Sequence, residues 1–375
     1  MKILIIVNSA WNIVNFRTNL IKKLKLQGHN ILIISNKDKL TSTLFNLVSK
    51  YEFVNFDSRS INPFKEIKLF LDLLVKIYKL KPDIILTFTI KANIYGGYIG
   101  KILNIPTINN ITGLGMAHKS FLLSSIVKYL YRVSLSKSYR FFFQNDHDYD
   151  YFLKNKIAKK HNSIILPGSG VDISYFNISD EDEKKRINNS KFNFLLSARL
   201  LWSKGVEEYV KASILIKKKY KNVNCWLVGF TNLDNKDSIK ISTIQKWHKK
   251  KYIVFKGGKM DIRNFLKKIN CFVLPSYYPE GTPKSLLEAA SMKIPIITTN
   301  TPGCKDVVFH NLNGYLCEPK NYFDLHLKME KMLDNPIDTR LKMGKAGRAL
   351  IVSKFNDQIV NDTYAKTINN FFLNS

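Results

Sequence analysis

"INCFVLPSYYPEGTPKSLLEAASMKIPIITTN", residues 269–300, sets an amphipathic segment between two short apolar runs. "CFVLP" reads as a buried strand running into the loop "SYYPEGT", and "IPIITTN" as the next strand. Between them a helix opens, with Thr282 as the expected N-cap and Pro283 at the first helical position. Strand, helix and strand in succession imply a right-handed crossover and a parallel sheet covered on both faces.

The same alternation extends in both directions. Downstream of "IILPGSGVD" (164–172), "KFNFLLSARL", "VNCWLVG", "YIVFKGG", "INCFVLPS" and "IPIITTN" give five strand candidates separated by helical segments. Upstream, "KILIIVN", "ILIIS", "DIILTF" (83–88), "PTINNIT" (106–112) and "RFFFQN" (140–145) form a first series. The fold expected is α/β: two doubly wound domains facing a central cleft. Pro and Gly cluster at "LPGSG", which puts the boundary near Pro167. The expected division is 1–166, 167–354 and a terminal helix over 355–375 that returns to the first domain. Phe355, Ile359, Tyr364, Ile368 and Phe371 are its expected apolar stripe.

At 375 residues the chain exceeds one ordinary core, and 45% hydrophobic with 23% charged residues is a globular composition. Cys225, Cys271, Cys304 and Cys317 include no CxxC, which argues against a disulfide framework or structural zinc. The short apolar start "MKILIIVN" reads as a strand rather than a signal peptide, and no apolar run reaches membrane-spanning length. The net charge of +30 is the outlying total, with residues 1–160 carrying 25 Lys/Arg against 9 Asp/Glu. Solvated lysine-rich faces, an anionic membrane, an anionic substrate or nucleic acid all fit that balance.

In open α/β sheets, ligands sit beyond the carboxyl ends of the strands, and the loop 276–282 lies at such an edge. The helix that follows offers its first amides, at Lys284 and Ser285, to an anion such as a phosphate. Glu280 precedes the helix, and Glu288 lies roughly 7–8 Å along its axis from Pro283. Each carboxylate is therefore a hydroxyl acceptor flanking a phosphate, a shape that suits a nucleotide-sugar. Spacing alone leaves ordinary solvated glutamates as an equal reading. "LLSARLLWSKGVEEYV" (195–210) adds a strand, a turn and a helix, with Arg199 and Lys204 expected at the same edge. They would supply a planar fork and a point charge against a departing diphosphate.

"SARLLWSKG" followed by "LPSYYPEGTPKSLLEAASMKIPIITTNTPGCKDVV" resembles the C-terminal half of the retaining glycosyltransferases of family four. "NSAWNIVNFR" and "TIKANIYGGYIGKILNIPTINNITGLG" are similar to the capsule, O-antigen and lipid-linked-oligosaccharide branch of that bacterial family. The resemblance implies the GT-B fold, with two Rossmann-like domains, and a UDP-sugar donor. It further implies retention of anomeric configuration and no required metal or other cofactor. Among relatives that extend undecaprenyl-diphosphate sugars, N-acetylhexosamine donors are suggested, N-acetylgalactosamine in particular.

Carried over position by position, the resemblance gives Glu280 the hydroxyls of the transferred sugar and Glu288 the nucleotide ribose. Arg199 and Lys204 take the diphosphate, which the amides from Gly281 through Thr282, Pro283 and Lys284 to Ser285 cradle, Pro283 itself having no N–H. On the acceptor side, Ser9, Asn15 and Arg17 follow the first strand in "NSAWNIVNFR", read as a loop. Many relatives carry a glycine pair there, which this chain lacks. Thr112 and Gly113 are expected to line the cleft, with His118 nearby, and Lys91 to meet acceptor phosphate.

Asp146-His147-Asp148 matches a metal clamp of another glycosyltransferase fold, but acids also favour a helix start, which is the reading taken. "GLG" at 113–115 lacks the spacing of a dinucleotide fingerprint. Segments 61–81 and 118–140 interleave apolar residues with Lys65, Lys68, Lys76, Lys79, Lys128, Arg132, Lys137 and Arg140. Such helices either pack on a sheet or attach the protein to the inner face of a cytoplasmic membrane. A sugar-nucleotide epimerase or phosphorylase, and a basic nucleic-acid-binding protein, are the competing functions. The paired glutamates speak against both.

Overall fold

The structure, a computed structural model, describes residues 1–57, 62–113, 121–231, 235–278 and 281–373, with backbone alone for 121–124. The chain divides into two compact units, Met1–Ser169 with Asp357–Ser375, and Gly170–Asn356.

The strands of the first unit are β1 (Lys2–Ile6), β2 (Asn30–Ser35), β3 (Lys50–Phe53), β4 (Ile84–Phe88), β5 (Thr107–Ile111), β6 (Arg140–Phe143) and β7 (Ser163–Ile165). They form a parallel sheet in the order β3-β2-β1-β4-β5-β6-β7. Ile3, Leu4, Ile5, Ile6, Ile84, Ile85 and Leu86 are wholly buried, as strands covered on both faces must be. The strand order reverses between β1 and β4, and the crevice beyond their carboxyl ends is where such sheets bind ligands.

Helices α1 (Ala10–Phe16), α2 (Thr18–Leu26), α3 (Thr41–Leu44), α4 (Pro63–Leu80), α5 (Ile90–Leu103), α6 (Phe121–Ser134) and α7 (Asp146–Lys154) belong to this unit. The expected loop at 8–17 is thus corrected to a helix. Ser9 caps it by accepting the Asn12 N–H at 3.3 Å, and Ala10 and Ile13 are drawn into the core. Asp146 and Asp148 occupy the first turn of α7, where Asn145 caps the helix by accepting the Asp148 N–H at 2.8 Å.

The second unit carries β8 (Phe192–Ser197), β9 (Val223–Val228), β10 (Val254–Phe255), β11 (Cys271–Leu274), β12 (Ile296–Thr299) and β13 (Gly314–Cys317). All pairings are parallel, in the order β10-β9-β8-β11-β12-β13, so the switch point falls between β8 and β11. The sixth strand, "GYLC", adds one to the five expected. Its helices are α8 (Asp180–Ile187), α9 (Val206–Lys219), α10 (Ile241–Lys249), α11 (Arg263–Leu266), α12 (Lys284–Ser291), α13 (Tyr322–Asp334) and α14 (Ile337–Leu350). The very polar stretch 179–190 forms α8 and is tied down. Buried Arg186 donates to the carbonyls of Met292 and Lys293, and Glu183 pairs with Lys293 at 2.7 Å.

The chain then returns to the first unit as α15 (Asp357–Leu373). Its buried residues include Val360, Tyr364 and Ile368, whereas Ile359 is exposed. Phe355 precedes the helix and packs in the second unit: it closes a π-helical turn over Ile351–Phe355, and the extended Asn356, with ψ 129°, separates that turn from α15. Tyr364 donates its hydroxyl to Asn110 Oδ1, and Asn110 in turn donates to Thr87 O at 2.9 Å. The four cysteines are buried free thiols. Among the described residues no helix is long and apolar enough to cross a membrane.

Candidate functional site

Two loops meet at the switch point of the second unit. The first leaves β8 through Ala198 and Arg199 and tightens into a 3₁₀ turn, Trp202–Lys204, ahead of Gly205 and α9. Asp237 holds this turn, accepting from Ser203 N–H at 3.2 Å and from the Ser203 hydroxyl. Gly205 is required twice over. Its φ is +72°, and a Cβ there would lie 2.1 Å from Pro275 O. That close approach brings the β8 loop against the β11 loop.

The second loop leaves β11 at Pro275. Tyr277 N–H and the Ser276 hydroxyl both donate to Ser203 O, at 3.0 and 3.3 Å. From the other side, the Ser276 carbonyl accepts the hydroxyls of Thr299, which ends β12, and of Thr301 just past it. The loop is therefore fixed by backbone contacts before α12 begins.

Helix α12 opens one residue later than expected. Pro283, with ψ 115°, is the N-cap and makes no side-chain cap bond, and Thr282 stands outside the helix. Proline at the cap has no N–H, and the helix's own ladder begins where Leu286 donates to Pro283 O at 3.1 Å. The amino end thus presents Lys284 and Ser285, both half-buried, beside buried Gly281.

Lys204 is 7% exposed, and its ammonium lies 5.9 Å from the centre of the Tyr278 ring. Arg199, two residues past β8, is exposed. Glu288 is half-buried, and burial pushes its carboxyl up to about 7, with Lys284 pulling the other way and Asp261 adding to the rise. Glu280 lies outside the described residues.

Sequence reasoning passed over the neighbours of Glu288. The Arg263 guanidinium stacks 3.6 Å from the Tyr175 ring centre and pairs with Asp261 at 2.6 Å, while the Tyr175 hydroxyl faces Asp261 at 3.4 Å. Tyr175 and Asp261 both interact electrostatically with Glu288. Asp261 and Arg263 share one segment, whereas Tyr175 comes from another 86 residues away, so no local spacing signals the group. A separate cavity of about 430 Å³ in this unit, lined by residues that include Trp226, Lys256 and Phe265, contains none of the switch-point residues.

In the first unit Ser9 follows β1, and its side chain caps α1. Asn15 donates to Trp11 O at 2.8 Å along that helix. Arg17 ends α1 and is 4% exposed, with its guanidinium 4.2 Å from the Phe88 ring centre and 5.8 Å from that of Tyr364. Its Nε is buried without a hydrogen-bond partner among the described residues, and burial lowers the guanidinium pKa. The Lys91 ammonium is engaged by Glu66 at 2.6 Å and by Asp57 O at 2.6 Å. Thr112 and Gly113 follow β5, Gly113 with φ +120°, and His118 lies outside the described residues. Thr89, between β4 and α5, has φ +81°, an outlier for a β-branched residue at the switch edge.

Comparison with known proteins agrees with the two α/β units of the fold. Residues 177–350 match the family described as glycosyl transferases group 1, and residues 2–145 match glycosyl transferase 4-like. An N,N'-diacetylbacillosaminyl-diphospho-undecaprenol alpha-1,3-N-acetylgalactosaminyltransferase from Campylobacter jejuni is 27% identical over 380 residues, 98% of each chain. An Escherichia coli UDP-Gal:alpha-D-GlcNAc-diphosphoundecaprenol alpha-1,3-galactosyltransferase is 27% identical across 87% of this chain and 84% of its own. Among solved structures, Anabaena HepE in complex with UDP and glucose superimposes with a TM-score of 0.80 at 16% identity, over 98% of this chain and 99% of that one. Sucrose-phosphate synthase from Thermosynechococcus elongatus gives 0.80 at 16% identity over 100% of both. The chain belongs to the glycosyltransferases of the GT-B fold, with a 4-like first half and a group 1 second half.

Proposed function

We propose that the protein transfers a sugar, with retention of configuration, from a UDP-sugar to a polyprenyl-diphosphate-linked saccharide in surface glycan assembly. The donor favoured is a UDP-N-acetylhexosamine, N-acetylgalactosamine first. The observation that carries this reading is the junction of Ser203 O with Tyr277 N–H and the Ser276 hydroxyl, which sets Lys204 and the start of α12 at one switch point. The activities for which the Campylobacter and Escherichia relatives are named support both substrate classes.

In this reading the diphosphate lies on the amino end of α12, from Gly281 to Ser285. Lys204 and Arg199 offset the charge that develops as the bond from the sugar C1 to the diphosphate oxygen breaks. The bonding pair leaves with the diphosphate. The acceptor hydroxyl adds to C1 from the same face, and its proton passes to a phosphate oxygen. Glu280 holds hydroxyls of the transferred sugar and Glu288 those of the ribose, while Ser9, Arg17, Thr112 and Gly113 serve the acceptor. A lipid-linked acceptor places the enzyme at the cytoplasmic face of the membrane, attached peripherally.

A donor screen tests the reading. UDP-sugars, GDP-mannose and dTDP-sugars are offered with a short polyprenyl-diphosphate glycan while nucleotide release is followed. Release of UDP from a UDP-N-acetylhexosamine, dependent on the acceptor, is expected. Release confined to GDP or dTDP donors would reject the donor assignment.

A further inference from the structure

Helix α4 carries two apolar stripes where packing needs one. Leu69, Leu73, Ile77 and Leu80 are buried against the sheet of the first unit. Phe64, Ile67, Leu71, Val75 and Tyr78 are exposed by 84, 58, 52, 51 and 65%. At about 3.6 residues per turn the two sets fall on roughly opposite sides of the helix. An amphipathic helix of a soluble domain presents charges on that outer side. The second stripe therefore has no explanation in the fold of this unit.

The apolar surface does not end at α4. Phe70 lies 5.9 Å, ring centre to ring centre, from Tyr98 on α5, where Tyr98 and Ile102 are also exposed. Helix α5 is tied to α6 by Lys101, which donates to Val133 O at 3.2 Å. There, Ile126 and Tyr129 are exposed by 55 and 66%. Along α4, the exposed Lys65, Lys68 and Lys79 face no carboxylate among the described residues. The two acids of α4 are already paired, Asp72 with Lys76 and Glu66 with Lys91, both at 2.6 Å. What remains outward is an apolar ridge fringed by uncompensated cations.

From this charge pattern we infer that α4, flanked by α5 and α6, is the face on which the protein lies in an anionic lipid bilayer, its axis along the membrane plane. The inference rests on the membrane attachment proposed above and is independent of the transfer chemistry. A second copy of the chain is the poorer occupant, since a symmetric pairing would press Lys68 and Lys79 against lysines in a chain of net charge +30. A bilayer takes the apolar side chains to the level of the acyl boundary, while lysine stems bend their ammonium groups back to the phosphates. Each lysine near an anionic leaflet raises affinity roughly fivefold at moderate salt.

The experiment is flotation of the full chain with vesicles of phosphatidylethanolamine and phosphatidylglycerol, against vesicles of phosphatidylcholine alone. Binding to the anionic vesicles, weakened by added salt, is expected. Leu71→Asp with Val75→Asp should lower it at least tenfold, and Lys68→Gln with Lys79→Gln by about 25-fold. All four positions are outward or flanking, so circular dichroism melting should match wild type. Transfer to a short-chain, water-soluble acceptor should also be unchanged, which separates loss of docking from loss of catalysis. Failure of the wild-type chain to float, or flotation of both double variants like wild type, overturns the inference even if transfer is intact. A dimer in sedimentation velocity that Leu71→Asp dissociates, without vesicle binding, overturns it in favour of a second copy.

Discussion

The Arg17 guanidinium lies 4.2 Å from the centre of the Phe88 ring, and the side chain is 4% exposed. No carboxylate among the described residues pairs with it, and its Nε has no hydrogen-bond partner. Burial of an unpaired charge is costly, so a group kept in this state at the β1–β4 switch edge is poised for an anion. Substitution of Arg17→Met should keep or raise the melting temperature while raising the acceptor KM tenfold or more. Steady-state kinetics on a polyprenyl-diphosphate saccharide provide the check, and an unchanged KM would remove Arg17 from the acceptor side.

Lys204 sits in a turn whose geometry is set by Asp237 and Gly205, so truncating its side chain leaves the turn standing. Lys204→Ala is expected to lower kcat by about 10²–10³, the range for loss of one preorganised charge-stabilising group. Glu280→Gln should fall by a similar factor. Far-UV dichroism that matches wild type accompanies both. Turnover near normal in either variant would contradict the roles proposed.

The Glu288 carboxyl is pushed up to about 7 chiefly by burial, so its proposed contact with the donor should make donor binding depend on pH. Its folded-state pKa lies above the unfolded value, so its contribution to stability is greatest below the unfolded pKa and is lost as pH rises through about 7. The ionised form, the better acceptor for ribose hydroxyls, grows over the same window. Donor KM should therefore fall between pH 6 and pH 8 in wild type and stay flat in Glu288→Gln. The Gln variant should also gain melting temperature over wild type at pH 8 more than at pH 5. A wild-type KM flat across that window would show that Glu288 does not titrate there.

Gly205→Ala places a methyl group 2.1 Å from Pro275 O in a backbone with φ +72°. The expected loss is about 3 kcal/mol or more, read from urea unfolding, because clash and left-handed strain combine. A loss under about 1 kcal/mol would mean that the two loops can part without cost.

The parts proposed to hold the donor are visible in the sequence because they are local. Lys204-Gly205 and the spacing from Glu280 to Glu288 sit within single strand–turn–helix units, and the sheet order then brings those units together. What perturbs Glu288 was not legible, since Asp261 and Tyr175 arrive from other segments. The pairing of Lys91 with Glu66 is hidden for the same reason, Glu66 standing on a different helix. The first helix was read as a loop because Asn12 and Asn15 are weak helix formers, and burial of Ala10 and Ile13 overrides them. Strand β13 is only four residues long and lies outside any apolar run a periodicity search would notice. In the tail, the break at extended Asn356 leaves Phe355 off α15, and Val360 rather than Ile359 is buried.

The return of α15 to the first unit has a consequence for biogenesis. Val360, Tyr364 and Ile368 complete that unit's core, yet the ribosome adds them only after the 187 residues of Gly170–Asn356 have been made. At roughly 5–20 residues per second, the nascent amino-terminal half waits about 10–40 s with Asn110 lacking its tyrosine and an apolar groove open to chaperones. Nonsense codons after residue 356 would make that wait permanent, so truncated chains should be degraded although both sheets are already encoded.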